Sequence, residues 1–208
     1  MYKQKKAFGL ILILLLSIDA WAKINIAASA EKQKLCQEIY ERMASEHFFR
    51  DKDLSAINAK VFDVLLDQLD NQKIYFTKNE ISSFRRKFSK FDDPTNFQKK
   101  YSKSSLCSID LKSSFAFINL YFNRLIEVTN YQLNEVSKMN FDFSKEEVIA
   151  IDDDKKKRQK SKFELKQTWK RLAKNDVLTS ILADKELDEA TEIIEKRYKN
   201  RLRRISQR

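Results

Sequence analysis

Glycine is almost absent from this sequence, and that absence limits the folds open to the chain. Of its 208 residues one is glycine, Gly9, and one is proline, Pro94. Turns between neighbouring strands depend on positive φ angles, which glycine adopts at low cost. A chain without glycine beyond its start favours helices joined by loops of Ser, Asn and Asp. The sequence therefore predicts an all-α fold, an irregular multi-helix bundle.

The scarcity of glycine also narrows the chemistry that we expect. Phosphate-binding loops and nucleophile elbows need backbone conformations that glycine adopts easily, so neither is predicted. The single histidine, His47, lies among aromatic residues and is interpreted as a packing or capping residue rather than a base. No group of side chains has the spacing of metal ligands. We expect no catalytic residue, no cofactor and no metal in this chain.

Residues 1–22 have the composition of a cleavable signal peptide. Three lysines precede an uncharged run over residues 7–16, which is short for a membrane span. The small-x-small pattern Ala20-Trp21-Ala22 follows, so we expect cleavage after Ala22. The mature domain would then comprise residues 23–208 and lie in the periplasm of a cell with an outer membrane. An uncleaved membrane anchor is the alternative.

The chain is strongly basic, with a formal net charge of +11. In a periplasm the available acidic partners are lipid headgroups, envelope polymers and acidic protein surfaces. We therefore expect no nucleic-acid partner and no transmembrane span once the signal peptide is removed. A protein that binds the envelope through its basic helices remains an alternative.

Two cysteines, Cys36 and Cys107, are present. An oxidising compartment favours a disulfide between them, and it would close a loop of about 70 residues, which contributes about 4 kcal/mol in the chain-entropy description. Two separate buried thiols are the alternative.

Apolar residues at helical spacing predict a series of helices. The first four are expected over about residues 29–47, 55–69, 77–91 and 110–138. Thr77 and Glu80 form a capping-box pattern at the third start. Ser29 and Lys32 have the S-x-x-K spacing of some acyl-transfer enzymes, but we interpret Ser29 as a helix N-cap. Residues 144–160 are expected to form a charged loop.

The last two helices are predicted to form a helical hairpin. Ser161 and Glu164 give a second capping-box pattern, and Asp184 is interpreted as the N-cap of the final helix. That helix has an apolar stripe that alternates with basic residues. The stripe consists of Leu187, Ala190, Ile194, Tyr198, Leu202 and Ile205.

Three short stretches near the end carry a specific pattern: Trp169-Lys170, Lys174-Asn175-Asp176 and residues 196–204, KRYKNRLRR. They closely resemble the end of the N-terminal helical domain of tail-specific proteases, the periplasmic carboxyl-terminal processing serine peptidases of Gram-negative bacteria. Shorter matches occur earlier in the same order, at Leu69-Asp70, Tyr75-Phe76, Glu80-Ile81 and Phe141-Asp142-Phe143. The resemblance spans about residues 35–207. At Leu172 and Ala173 the family commonly has arginine and valine instead.

The resemblance implies a non-catalytic scaffold and interaction domain, present as a truncated or split product of such a protease. The family's serine–lysine dyad and PDZ carboxylate-binding loop match no position here, so no catalytic residue is assigned. Implied partners are the PDZ and protease domains and a lipoprotein adaptor, and a stand-alone periplasmic adaptor is the alternative. The residues assigned to the family motif are Trp169, Lys174, Asn175, Asp176, Lys196, Arg197, Tyr198, Asn200, Arg201, Arg203 and Arg204.

Overall fold

The computed structural model describes residues 23–46, 55–89, 103–139, 141–150 and 156–207. These ranges contain six helices and no strand, which confirms the all-α prediction for the described part of the chain. The predicted signal peptide, His47 and Pro94 lie outside the described residues. The helices are α1 (Ala30–Glu46), α2 (Ser55–Asp70), α3 (Lys78–Ser89), α4 (Lys103–Ser137), α5 (Lys162–Ile181) and α6 (Leu187–Ser206).

The longest helix, α4, is the common packing partner of the bundle. It has 35 residues and so extends for about 52 Å at 1.5 Å per residue. Helices α1, α3, α5 and α6 all pack against it. Its start lies earlier than the predicted residue 110, because the serine-rich stretch before that residue forms helical turns. No glycine or proline interrupts this stretch, and serine costs a helix little.

Two buried clusters lie at different places along α4. The first is aromatic and joins α2, α3 and α4 around Phe117, which is fully buried. The rings of Phe76, Phe84 and Phe62 have centroids 4.9, 5.1 and 5.2 Å from that of Phe117. The second cluster is mostly aliphatic and joins α4, through Val136, to the hairpin of α5 and α6. Two smaller buried clusters among the described residues also include α4, one through Ile126 and one through Val128.

The predicted apolar stripe of the last helix is the buried face of α6. Ala190, Ile194 and Tyr198 have no exposed surface, and Leu202 and Ile205 are also buried. Leu187, at the start of the stripe, is 42% exposed and lies outside the core. The helical hairpin predicted for the end of the chain is present as α5 and α6, which pack against each other.

The capping boxes predicted from the sequence form, with one difference. Thr77 donates its N–H to Glu80 Oε2 at 2.8 Å, and Glu80 donates its N–H to Thr77 Oγ1 at 3.3 Å. At the start of α5, Glu164 donates its N–H to Ser161 Oγ at 3.2 Å. The Glu164 carboxylate accepts instead from the N–H of Lys160, at 2.7 Å. Ser29 caps α1 as interpreted, since its Oγ accepts the N–H of Lys32 at 3.3 Å.

The assignment of Asp184 as an N-cap is wrong. The N-cap of α6 is Glu186, which makes no side-chain capping bond. Asp184 lies in the turn after α5 with a φ of 61°, and its N–H donates to Ile181 O at 3.0 Å. A helix often ends with a residue at positive φ, usually glycine, whose amide satisfies one of the last carbonyls. Because this part of the sequence contains no glycine, aspartate occupies that position.

An extended segment precedes α1 and lies along α4. Asn123 Oδ1 accepts the N–H of Ile24 at 2.9 Å, and its Nδ2 donates to Ile24 O at 2.8 Å. Asn119 makes the same pair of bonds to Ile26, at 2.7 and 2.8 Å. Ile24 and Ile26 are half-buried while the residues beside them are exposed, the alternation of a strand. The two asparagines, one helical turn apart, hold this segment through its backbone.

Candidate interaction surface

Asp70 organises the connector between α2 and α3. This last residue of α2 is 1% exposed, and its Oδ1 accepts the N–H groups of Ile74 and Tyr75 at 2.8 and 3.0 Å. Its Oδ2 accepts the N–H of Phe76 at 3.3 Å and pairs with the guanidinium of Arg158. Arg158 also donates to Phe76 O at 3.1 Å. A carboxylate at a helix C-terminus is unfavourable for the helix dipole, so its role is to satisfy the connector's amides.

Trp169 fixes the same connector from the side of α5. Its side chain has no exposed surface, and its Nε1–H donates to Ile74 O at 2.7 Å. The ring of Tyr131 packs edge-on against it, with centroids 5.8 Å apart. A buried tryptophan needs a partner for its indole N–H, and the connector supplies it. This residue of the family motif therefore attaches α5 to the connector between α2 and α3.

Lys174 attaches the irregular segment 141–150 to α5. The residue is 8% exposed, and Nζ donates to Asp142 O at 2.7 Å and to Lys145 O at 3.1 Å. The Nζ atom also lies 2.5 Å from Glu147 Oε2. An ammonium group has three donors, and these three oxygens satisfy it. Burial of this charge is therefore compensated.

Asp176 and Tyr198 connect the two helices of the hairpin. The Tyr198 hydroxyl donates to Asp176 Oδ2 at 2.7 Å, and the tyrosine has no exposed surface. Burial raises the pKa of Tyr198, and the neighbouring Asp176 carboxylate raises it further. The phenol therefore stays protonated and remains a hydrogen-bond donor. Arg201 lies with its guanidinium carbon 5.5 Å from the centroid of the Tyr198 ring.

The remaining residues of the family motif lie at the surface. Asn200 is half-buried and accepts a hydrogen bond from Arg203. The other members that face solvent are Asn175, Lys196, Arg197, Arg203 and Arg204. The structure therefore divides the motif into a buried set that joins helices and an exposed set that is mostly basic. The exposed set is available to a partner.

A cleft lies where the connector, α4, α5 and α6 meet, and we call it the arginine cleft. It encloses about 730 Å³, and its charged lining residues are Asp176, Arg201 and Arg204. Tyr75 and Tyr121 line its aromatic side, with ring centroids 5.5 Å apart. Burial raises the pKa of Tyr75 to about 12, and Tyr121 adds to this shift. Tyr75 therefore presents a protonated phenol to the cleft over the ordinary pH range.

Several contacts between residues that are far apart in the sequence were not predicted. Arg158 is 88 positions from Asp70, and Asn119 is 93 positions from Ile26. A single sequence has no pattern that reports such distances. The spacing of Asn119 and Asn123 does place both on one helical face, and that signal was available. Tyr75 is part of the resemblance, but nothing in the sequence places it beside Arg201.

The two residues with the S-x-x-K spacing lie at the start of α1. Ser29 Oγ accepts the N–H of Lys32 at 3.3 Å, and Lys32 Nζ lies 4.9 Å from the centroid of the Phe115 ring. Among the described residues, no three His, Cys, Asp or Glu side chains are grouped as a metal site requires. Nor does any helix in the described ranges combine the length and apolarity needed to cross a bilayer.

The fold and its surface define a class: an all-helical domain held together by buried polar contacts, with a basic helix beside an open cleft. The family described as "Tail specific protease N-terminal domain" matches residues 39–208. The chain belongs to this family. It is also 25% identical over 182 residues to the "Tail-specific protease" of Haemophilus influenzae (strain ATCC 51907 / DSM 11121 / KW20 / Rd). That match covers 87% of this chain and 24% of the relative, so the chain spans about a quarter of the relative's length.

Proposed function

We propose that this chain serves as the non-catalytic interaction domain of a tail-specific protease system in the periplasm. Its partners would be the PDZ and protease domains of such an enzyme and a lipoprotein adaptor. The observation that carries the proposal is the use of the motif residues. Trp169, Lys174, Asp176 and Tyr198 hold helices and connecting segments together. The exposed members of the motif are mostly basic and are left for a partner.

The test is proteolysis of an unfolded reporter protein with an apolar carboxyl-terminal tag. The purified chain is assayed alone and together with the full-length tail-specific protease of Haemophilus influenzae. We expect no cleavage by the chain alone, and a changed cleavage rate when it is added to the protease. Addition of an equal amount of heat-unfolded chain serves as the control for nonspecific competition.

Two outcomes would contradict the proposal in different ways. Cleavage by the chain alone that disappears in the Ser29→Ala variant would make the chain an independent hydrolase. An unchanged rate in the mixture at saturating chain would exclude an interaction with the protease and its substrate.

Export is a separate part of the proposal. Expression of the complete sequence in a Gram-negative host should give a periplasmic product that begins at Lys23, measured by mass spectrometry of the intact protein. A product that retains residues 1–22 in the membrane fraction would favour the uncleaved anchor.

A further inference from the structure

We propose that the arginine cleft binds an acidic peptide segment of a protein partner. A glutamate or aspartate side chain of that segment would lie between Arg201 and Arg204, and a neighbouring apolar side chain would pack on the aromatic side of the cleft. This inference rests on the proposed role as an interaction domain and names the chemistry of one partner.

The charged groups of the cleft favour the binding of a single carboxylate. Arg201 and Arg204 are three residues apart on α6, a spacing that places both side chains on one face. Neither forms an ion pair with a carboxylate of the described residues, whereas Lys185 and Lys199 of the same hairpin pair with Glu189 and Glu195 at 2.6 and 2.8 Å. The planar guanidinium group favours a carboxylate through paired N–H donors.

Asp176 limits how much negative charge the cleft accepts. Its carboxylate already receives the Tyr198 hydroxyl at 2.7 Å and lines the same cleft. Two guanidinium groups and one carboxylate leave a net charge of +1, which one additional carboxylate neutralises. A chain of phosphates would place excess negative charge beside Asp176. The balance therefore favours an acidic peptide over a nucleic acid.

The other wall of the cleft is apolar and only partly covered. Tyr75, Tyr121, Phe122, Leu125 and Leu172 line it, and each of them is half-buried. Partly exposed apolar groups gathered at one place mark interaction sites. Tyrosine and arginine are also enriched among the residues that contribute most of the binding energy at protein interfaces. A peptide with an apolar residue beside its acidic one would cover this wall and neutralise the arginines together.

The size of the cleft fits a short segment rather than a whole helix. Its volume of about 730 Å³ lies within the range of pockets that enclose drug-sized ligands. Arg204 is exposed at its edge, so the bound segment can continue into solvent at that side. The occupant is therefore a few residues of an extended peptide, with the rest of its protein outside.

Fluorescence anisotropy with a labelled peptide tests the inference on the complete chain. The probe is a terminally blocked octapeptide with one glutamate between a phenylalanine and a leucine, flanked by serines. We expect saturable binding that weakens about tenfold when the glutamate is replaced by glutamine, and by a similar factor in the double variant Arg201→Gln/Arg204→Gln. The matched control is Lys162→Gln/Lys166→Gln, which removes two exposed charges from α5 outside the cleft and should leave binding unchanged.

Three other results would each contradict the inference. Equal weakening in both double variants would mean general attraction to a basic surface and would overturn the cleft assignment. Binding of a serine peptide with only a free terminal carboxylate, at equal strength, would overturn the side-chain specificity. Preferential binding of anionic phospholipid vesicles through Arg201 and Arg204 would make the cleft a membrane site.

The peptide result and the protease result are independent. If no blocked acidic peptide binds while the chain still changes the rate of the protease, the cleft inference fails and the proposed function stands. If the peptide binds as expected and the protease is unaffected, the cleft is a binding site but the proposed partner is wrong.

Discussion

At the scale of single residues, the structure depends on charged groups placed where solvent does not reach. The Asp70 carboxylate has no exposed surface, and the Arg158 side chain that pairs with it is 14% exposed. Desolvation of two charges is costly, and it is offset here because three backbone amides and the Phe76 carbonyl also take part. Removal of one partner leaves the other without that compensation.

We expect Asp70→Asn to lower the free energy of unfolding by about 3 kcal/mol, because Arg158 loses its counter-charge and the connector amides lose a charged acceptor. Urea denaturation followed by circular dichroism measures the change. Asp67→Asn, an exposed position one turn earlier on α2, is the control and should change stability by less than about 0.5 kcal/mol. An equal effect of the two variants would remove Asp70 from its structural role.

Glu80 makes the stability of the domain depend on pH in the acidic range. Its carboxylate caps α3 through Thr77 and pairs with Arg124 Nη2 of α4 at 2.6 Å. Burial by itself would raise the pKa of Glu80, but the Thr77 N–H and the Arg124 guanidinium outweigh it, so the pKa lies below the ordinary 4.5. A carboxylate with a lowered folded-state pKa stabilises the protein above the unfolded pKa, and this stabilisation is lost as the pH falls through the folded pKa.

Denaturation measured from pH 7 to pH 3 should therefore show stability that falls below about pH 4.5. In Glu80→Gln the stability at pH 7 should be lower and the fall with pH less steep. Glu192→Gln, at an exposed position on α6, should keep the slope of the parent chain. A Glu80→Gln profile with the parent slope would show that other carboxylates cause the acid sensitivity.

The two capping boxes were predictable because their partners are three residues apart, so local sequence contains the whole interaction. Arg124 and Arg158 were not predictable as partners of Glu80 and Asp70, 44 and 88 positions away. Charge and local pattern are the same for these arginines as for the exposed ones on α6. Only their position in the folded chain separates them.

At the scale of helices, the missing glycines change how the helices end. Lys73, Met139 and Asp184 follow α2, α4 and α5, and they have positive φ angles of 56°, 47° and 61°. For a residue with a Cβ atom this conformation costs about 1 kcal/mol. These helix ends are therefore less stable than they would be with glycine. The prediction that polar residues form the loops did not include this energetic cost.

Asp184→Gly should raise the free energy of unfolding by about 0.5–1 kcal/mol, because glycine adopts the positive φ angle without the steric cost. Thermal and urea unfolding both report this gain. The same substitution at Asp188, inside the first turn of α6, should instead destabilise by about 1 kcal/mol. A loss at Asp184 would contradict the left-handed turn and support the N-cap that the sequence suggested.

The extended segment 23–26 is held to α4 by two side chains, so its attachment can be tested separately. In Asn119→Ala/Asn123→Ala the amides of Ile24 and Ile26 lose their acceptors, and we expect their hydrogen exchange to become at least about tenfold faster. Asn134→Ala, an exposed position on the same helix, is the control. Unchanged exchange in the double variant would mean that apolar contacts of the two isoleucines alone hold the segment.

At the scale of the whole molecule, α1 is attached to the bundle through α4. Cys36 lies on α1, and Cys107, on α4, is the other cysteine of the sequence. The pairing Cys36–Cys107 stays a prediction, and so does the oxidising compartment that would form it.

Proteolytic digestion without reductant should yield one peptide that contains both cysteines, identified by mass spectrometry. Reduction should lower the free energy of unfolding by about 4 kcal/mol, the value for closure of a loop of about 70 residues. Cys36→Ala/Cys107→Ala should match the reduced parent chain and lose any response to reductant. Recovery of both cysteines as free thiols from the exported protein would contradict the pairing.

The sequence by itself determined the all-helical class, the approximate positions of the helices, the capping boxes and the family. All of these depend on composition or on residues a few positions apart, where chain geometry leaves little choice. Only the tertiary structure decided that Asp70 meets Arg158, that Asn119 and Asn123 hold the first extended segment, and that Arg201 and Arg204 share a cleft with Tyr75. These contacts join residues many positions apart in the chain, and they exist because α4 brings separate helices to one place. No local preference of the residues involved specifies that meeting.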